Sequence, residues 1–206
     1  MIARPLNVQH VQQQWFLHVN EFARNTVWLH TPMRLYAEYG IVLFAAFLLL
    51  SWWLARRAQS PRRIAAALWA PVATLVAVGL NQPIVHSVGE ARPFIVFPHA
   101  LVLVARSQDA SFPSDHGVMA GAVAAGVLLA NRRLGLVVAV AAVLIAFARV
   151  YVGVHFPLDV VAGLVLGATV TILGHLVLRA PLVAVVTRLS RTRLRPLFLA
   201  GAHVAA

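Results

Sequence analysis

Three short clusters in this sequence hold residues whose types and spacing suit phosphoryl chemistry. They are Arg92-Pro93, then Pro113-Ser114-Asp115-His116, then Arg149 with His155 and Asp159. Ser114 is of the type that caps a helix, and a helix N-terminus with free N–H groups binds phosphate readily. Arg92 and Arg149 would supply planar, bidentate donors to the same oxyanion. His155 stands just ahead of Pro157, a favoured first helical residue, which puts Asp159 in the first turn of the helix that follows. A carboxylate at that reach accepts one imidazole N–H, holds the tautomer and leaves the other ring nitrogen free as a nucleophile. His116 is then left as general acid for the departing oxygen. A nucleophile, an acid and cations around the equatorial oxygens are the parts that phosphoryl transfer requires.

Taken singly, each residue has a plainer role open to it. Ser114 suits a simple helix cap, Asp159 a partner of the helix dipole, and Arg149 a side chain reaching the headgroups. Either histidine alone could be an interfacial residue satisfied by backbone. The chemical reading rests on all of them falling on one face of the same membrane.

That membrane follows from composition. Of 206 residues 61% are hydrophobic and only 11% charged, with a mean hydropathy of +0.81; soluble domains carry about a quarter charged residues. Uncharged apolar runs cover 39–55, 64–80, 113–131, 134–151 and 157–178, each near the roughly 17–25 residues of a spanning helix. The second run is expected to break at Asn81-Gln82-Pro83. The third and fourth reach spanning length only if Ser114-Asp115-His116 and Arg149 lie within their ends, where uncompensated charge is costly. The expected fold is all-α, a polytopic membrane helix bundle of five to six transmembrane helices with an N-terminal amphipathic helix. A single domain over 1–206 divides into a surface segment (1–37), a transmembrane core (38–178) and a basic cytoplasmic tail (179–206).

Charge orients the bundle. All 17 basic residues are arginines. Those between runs one and two, between three and four, and after five stand without a single acid, whereas Glu21, Glu38, Glu90, Asp109, Asp115 and Asp159 all fall on the other side. The positive-inside rule makes the arginine-only side cytoplasmic, so the three clusters face outward. The same placement assigns the net charge of +11 to membrane flanks and away from nucleic acid. There is no cysteine, hence no disulfide or thiolate metal site, and residues 1–14 lack the pattern of a cleavable signal. Val8, Val11, Trp15, Val19 and Phe22 recur at helical spacing and suggest a helix on the outer surface. Gly117/Gly121 and Gly163/Gly167 read as helix-packing pairs.

The clusters resemble the type-2 phosphatidic acid phosphatase family, whose pattern has Lys seven residues before Arg-Pro, then Pro-Ser-Gly-His, then Ser-Arg, five residues, His, three residues, Asp. Arg92-Pro93, Pro113-Ser114-Asp115-His116 and Arg149 with His155 and Asp159 stand at that spacing. The resemblance implies a phosphohistidine at His155 and His116 as acid. It implies phosphate held by Arg92, Ser114, Arg149 and the Asp115 backbone, with no metal or other cofactor. Val85 stands where the pattern has Lys, with His86 or Arg106 as possible substitutes. Ala148 replaces its Ser and Asp115 its Gly. Ser111-Phe112-Pro113-Ser114-Asp115-His116 and Arg92-Pro93-Phe94 look like the bacterial undecaprenyl-diphosphate phosphatase branch.

The expected activity is therefore hydrolysis of a polyprenyl (undecaprenyl or decaprenyl) diphosphate at the outer face of the cell membrane. The apolar 94–104 stretch lies beside the clusters to meet a lipid tail. Phosphatidate, phosphatidylglycerol phosphate and a decaprenyl phosphoribose phosphate are the alternatives within this chemistry. A non-enzymatic transporter or lipid-binding protein is the alternative of another class. The implied partners are the lipid phosphate and membrane lipids, with no nucleic acid and no obligate protein partner.

Overall fold

The computed structural model describes residues 6–198; the ends of the expected surface segment and tail, 1–5 and 199–206, lie outside the described residues. In chain order the helices are α1 (Leu6–Asn25), α2 (His30–Arg57), α3 (Pro61–Val88), α4 (Pro93–Val96), α5 (Asp115–Ala130), α6 (Arg132–Tyr151), α7 (Pro157–Leu189) and α8 (Arg195–Phe198). A 3₁₀ turn, Val27–Leu29, joins α1 to α2. No strand occurs among the described residues, so the architecture is all-α. Among the described residues four segments are long and apolar enough to cross a membrane, Val27–Arg57, Pro61–Val96, Arg132–Tyr151 and Pro157–Leu189, and α5 is a shorter apolar helix.

Local signals place most helix ends. Pro61 and Pro157 occupy the first turns of α3 and α7, where the missing N–H costs nothing. Ser114 and Asn131 cap α5 and α6 with side-chain oxygens that accept from Gly117 N and Leu134 N. Gly89 closes α3 in the left-handed region at φ +61°, a conformation that glycine adopts without strain. The expected break at Asn81-Gln82-Pro83 does not occur, because α3 runs unbroken to Val88. Pro83 removes one backbone donor, but Asn81 at this point is fully buried and paired across to the loop before α5. The fifth run likewise continues as helix through Pro181 to Leu189.

α5 is the centre of the bundle. Every residue from Gly117 to Val127 is buried, and α3, α6 and α7 all pack on it. The four paired glycines explain how closely α7 approaches. A Cβ added at Gly163 would stand 2.6 Å from the Ser114 carbonyl oxygen, and one at Gly117 2.9 Å from that of Val160. Small residues let helix backbones meet in this way. The contact also holds the N-termini of α5 and α7 side by side, and Ser114 N donates to Asp159 O at 3.0 Å.

α1 docks through Gln12, Phe16, Asn20 and Ala23, all buried, while Val8, Val11, Trp15 and Phe22 stay exposed. Phe16 packs between the rings of Phe97 and Phe156. The 94–104 stretch divides. Ile95 and Val96 are exposed, whereas Leu101–Val104 pack beside Tyr151, Val152 and Val154. Asn20 fixes this segment by exchanging hydrogen bonds with Leu101 N and O.

Candidate active site

The adjoining N-termini of α5 and α7, the turn 152–156 and the loop 90–114 enclose one polar cluster. His155 lies in that turn and is only 3% exposed. Its Nδ1 is 3.0 Å from Ser111 O and 3.5 Å from Asp159 Oδ2. Its Nε2 is 3.4 Å from Arg92 Nη1. A guanidinium can only donate, so Nε2 is the acceptor nitrogen and Nδ1 carries the proton, donated to Ser111 O. The tautomer thus follows from the partners, and the Nε2 lone pair points toward a cation.

Asp159 is fully buried. Its Oδ2 accepts from Phe156 N at 2.8 Å, closing the first turn of α7, and from Ser111 Oγ at 2.5 Å. Ser111 is the residue of the cluster that sequence reasoning missed. Its hydroxyl and carbonyl sit between Asp159 and His155, 44 positions from the histidine. The only sequence signal for it is its place in Ser111-Phe112-Pro113-Ser114, a stretch that marks the resemblance but gives this serine no role. Its position is fixed by Ser111 N donating to Glu90 O at 2.8 Å.

Arg92 is 7% exposed. It spends Nε on Asp109 O (2.8 Å) and Nη1 on Val154 O (3.1 Å), so the loop and the turn set its plane. Arg149, on the last turn of α6, donates Nη1 to Ala37 O of α2 at 3.2 Å, and its buried Nε has no acceptor among the described residues. Buried donors are almost always satisfied, so this orphan is what an anion-binding guanidinium would leave. Ser114 is buried and caps α5. The N–H groups of Asp115 and His116, at the first two helical positions, have no intrahelical acceptor. His116 is half-buried, within electrostatic range of Arg149, His155 and Arg92, and has no hydrogen-bond partner among the described residues. The structure therefore brings all the expected residues to one place.

Charge in the cluster favours neutral His155. Burial holds its proton affinity well below the ordinary imidazole value, and Arg149 and Arg92 lower it further. The bond to Ser111 O and the charge of Asp115 oppose the shift only in part. Val85, where the resemblance asks for lysine, is buried. Of the possible substitutes, His86 is exposed, and Arg106 lies over the Phe94 ring at 5.5 Å.

The sequence profile of the PAP2 superfamily matches residues 66–181, a span that contains every residue of the cluster. The chain belongs to this superfamily. It is 34% identical over 152 residues to the undecaprenyl-diphosphatase BcrC of Bacillus subtilis, covering 73% of this chain and 74% of the relative. It is 29% identical, also over 152 residues, to the bacitracin transport permease protein BcrC of Bacillus licheniformis, covering 74% and 73%. Among solved structures it shares the fold of the PAP2-type phosphatidylglycerolphosphate phosphatase from Bacillus subtilis, with a TM-score of 0.58 and 20% identity over 82% of this chain and 85% of that one. With its apolar helices, this PAP2 chain is a multi-pass membrane protein.

Proposed function

We propose that this membrane lipid phosphatase hydrolyses a polyprenyl diphosphate, undecaprenyl or decaprenyl, at the extracytoplasmic face through a phosphohistidine on His155. The observation that carries the reading is the pairing of His155 Nε2 with Arg92 while Nδ1 is tied to Ser111 and Asp159. Nε2 attacks the terminal phosphorus, and the bond to the bridging oxygen breaks as His116 gives that oxygen its proton. Arg92, Arg149 and the N–H groups at the start of α5 hold the equatorial oxygens. Water then attacks the phosphorus, surrenders its proton to His116 and restores His155, as microscopic reversibility requires.

The relative named undecaprenyl-diphosphatase supports the choice of a diphosphate lipid. Sidedness is supported by charge, since the cluster lies at the end of the bundle that holds the acids and opposite the arginine-only connections. The exposed Val8, Val11 and Trp15 of α1 suit a helix bedded in the outer interface. Purified protein given undecaprenyl diphosphate is expected to release phosphate and to carry acid-labile label on His155. Release by neither wild type nor any variant would sink the reading.

The transport name of one relative favours a second reading, movement of a ligand without hydrolysis. Orthovanadate separates the two. It mimics the five-coordinate phosphorus and blocks a phosphohistidine enzyme, whereas a transporter is indifferent to it.

A further inference from the structure

Asp115 presents a problem for an anion site. It is the first residue of α5 and exposed, and its charge reaches both Arg92 and His155. Left free to swing, this carboxylate would compete with a substrate phosphate for the same helix N-terminus and the same arginines. No salt bridge neutralises it among the described residues. Instead Oδ1 accepts from Asn81 Nδ2 at 2.7 Å and Gln82 Nε2 at 3.0 Å, two adjacent residues of α3. Asn81 is fully buried and also donates Nδ2 to Pro113 O at 3.2 Å. One carboxamide thereby fixes both the loop that leads into the Ser114 cap and the acid that follows it. Its own Oδ1 is buried without a partner among the described residues, a cost accepted to aim both amide hydrogens at this loop.

We propose that Asn81 and Gln82 are positioning residues of the phosphate pocket. They hold the Asp115 carboxylate against α3, so α5 offers phosphate its backbone N–H groups and not an acid. The inference rests on the phosphate-binding reading of the α5 N-terminus. It also accounts for the placement of Asn81-Gln82 inside an unbroken helix, since both amides must project from one turn of α3.

The test measures KM for a lipid diphosphate and Ki for orthovanadate on the full chain in detergent micelles. Asn81→Ala empties a buried polar site and is expected to unfold the chain, so the half-buried Gln82 carries the experiment. Gln82→Ala is expected to raise both constants about 3- to 10-fold, the size of one misplaced partly solvated charge. The shift is expected to shrink at high salt while the melting temperature stays near wild type. Adding Asp115→Gly to Gln82→Ala should return both constants to those of Asp115→Gly alone, because the carboxylate that caused the harm is gone. Unchanged constants in Gln82→Ala, or a loss that Asp115→Gly fails to restore, would overturn the inference. A wild type that ignores vanadate overturns instead the phosphatase reading on which it rests.

Discussion

Ser111 and His155 are joined twice. The serine carbonyl lies 3.0 Å from His155 Nδ1 and the serine hydroxyl 3.4 Å from the same atom, while that hydroxyl also reaches Asp159 Oδ2 at 2.5 Å. The histidine is thus oriented chiefly by a backbone oxygen, with the carboxylate acting partly through a serine. Ser111→Ala keeps the carbonyl and loses the bridge, so kcat is expected to fall about 10-fold with KM little changed. Asp159→Asn removes the charge while its remaining oxygen can still accept from Phe156 N, for a loss of about 10²- to 10⁴-fold. Steady-state kinetics on the two variants rank the partners; a Ser111→Ala loss as deep as that of Asp159→Asn would reverse the order.

His116 and His155 should fail differently. His155→Ala removes the proposed nucleophile and is expected to abolish turnover of every substrate. His116→Ala removes only the proposed proton donor, expected to cost about 10²- to 10⁴-fold for a poor leaving group. With an aryl phosphate, whose leaving group needs no proton, the His116→Ala deficit in phosphoenzyme formation should be small. Rapid-quench trapping of the phosphoenzyme decides. Equal deficits for lipid and aryl substrates would remove His116 from the role of acid.

The acid side of the pH profile follows from burial. His155 has its proton affinity held down by desolvation and by Arg149 and Arg92, so the folded protein keeps it neutral below the ordinary imidazole value of about 6.5. Phosphoenzyme formation with an aryl phosphate is therefore expected to persist through pH 6.5 and to decline only well beneath it. The same shift has a stability consequence. Below about 6.5 the unfolded chain takes up a proton at position 155 that the folded chain refuses, so stability falls as pH is lowered through that window. His155→Ala should flatten this part of a melting-temperature profile, and a wild-type profile already flat there would contradict the burial argument.

The glycine contact between α5 and α7 sets the distance between the two halves of the site. In Gly163→Val the new Cβ would stand 2.6 Å from the Ser114 carbonyl oxygen, with backbone on both sides and no flexible chain to yield. Overpacking of this kind costs about 1–3 kcal/mol. It should also separate Ser114 N from Asp159 O, so activity is expected to drop more than thermal stability. Gly79, with open space around it, serves as the control. A Gly163→Val protein with wild-type kcat would show that the close approach does not position the site.

Much of this was legible in the sequence because each signal was local. The apolar runs, the Ser114 cap, the Pro157 start and the four-residue step from His155 to Asp159 all depend on near neighbours. The glycine pairs gave the packing face for the same reason. Ser111 stayed hidden because its role exists only once a loop folds back over 44 positions onto the turn after α6. Asn81-Gln82-Pro83 misled because a proline inside a helix ordinarily reads as a break, and only the fold reveals that the amides beside it have partners on another segment. In α1, the repeated Val8, Val11, Trp15, Val19 and Phe22 drew attention to one stripe, while the face that meets the protein mixes Gln12 and Asn20 with Phe16 and Ala23, a pattern that hydropathy cannot separate from a solvated surface.

The 16 residues of α5 rise only about 24 Å, while the hydrocarbon slab of a bilayer is about 30 Å thick. α5 turns into α6 at Asn131, beside the paired Arg132 and Arg133, so that end is pinned at its own interface. On the proposed reading the whole shortfall would fall at the other end, and the floor of the candidate site would lie roughly 6 Å beneath the opposite headgroup plane. A lipid phosphate reaches it by sinking, or the bilayer reaches it by thinning. Turnover is then expected to depend on membrane thickness, and lengthening the acyl chains of the host bilayer should slow it even though no residue of the site has changed.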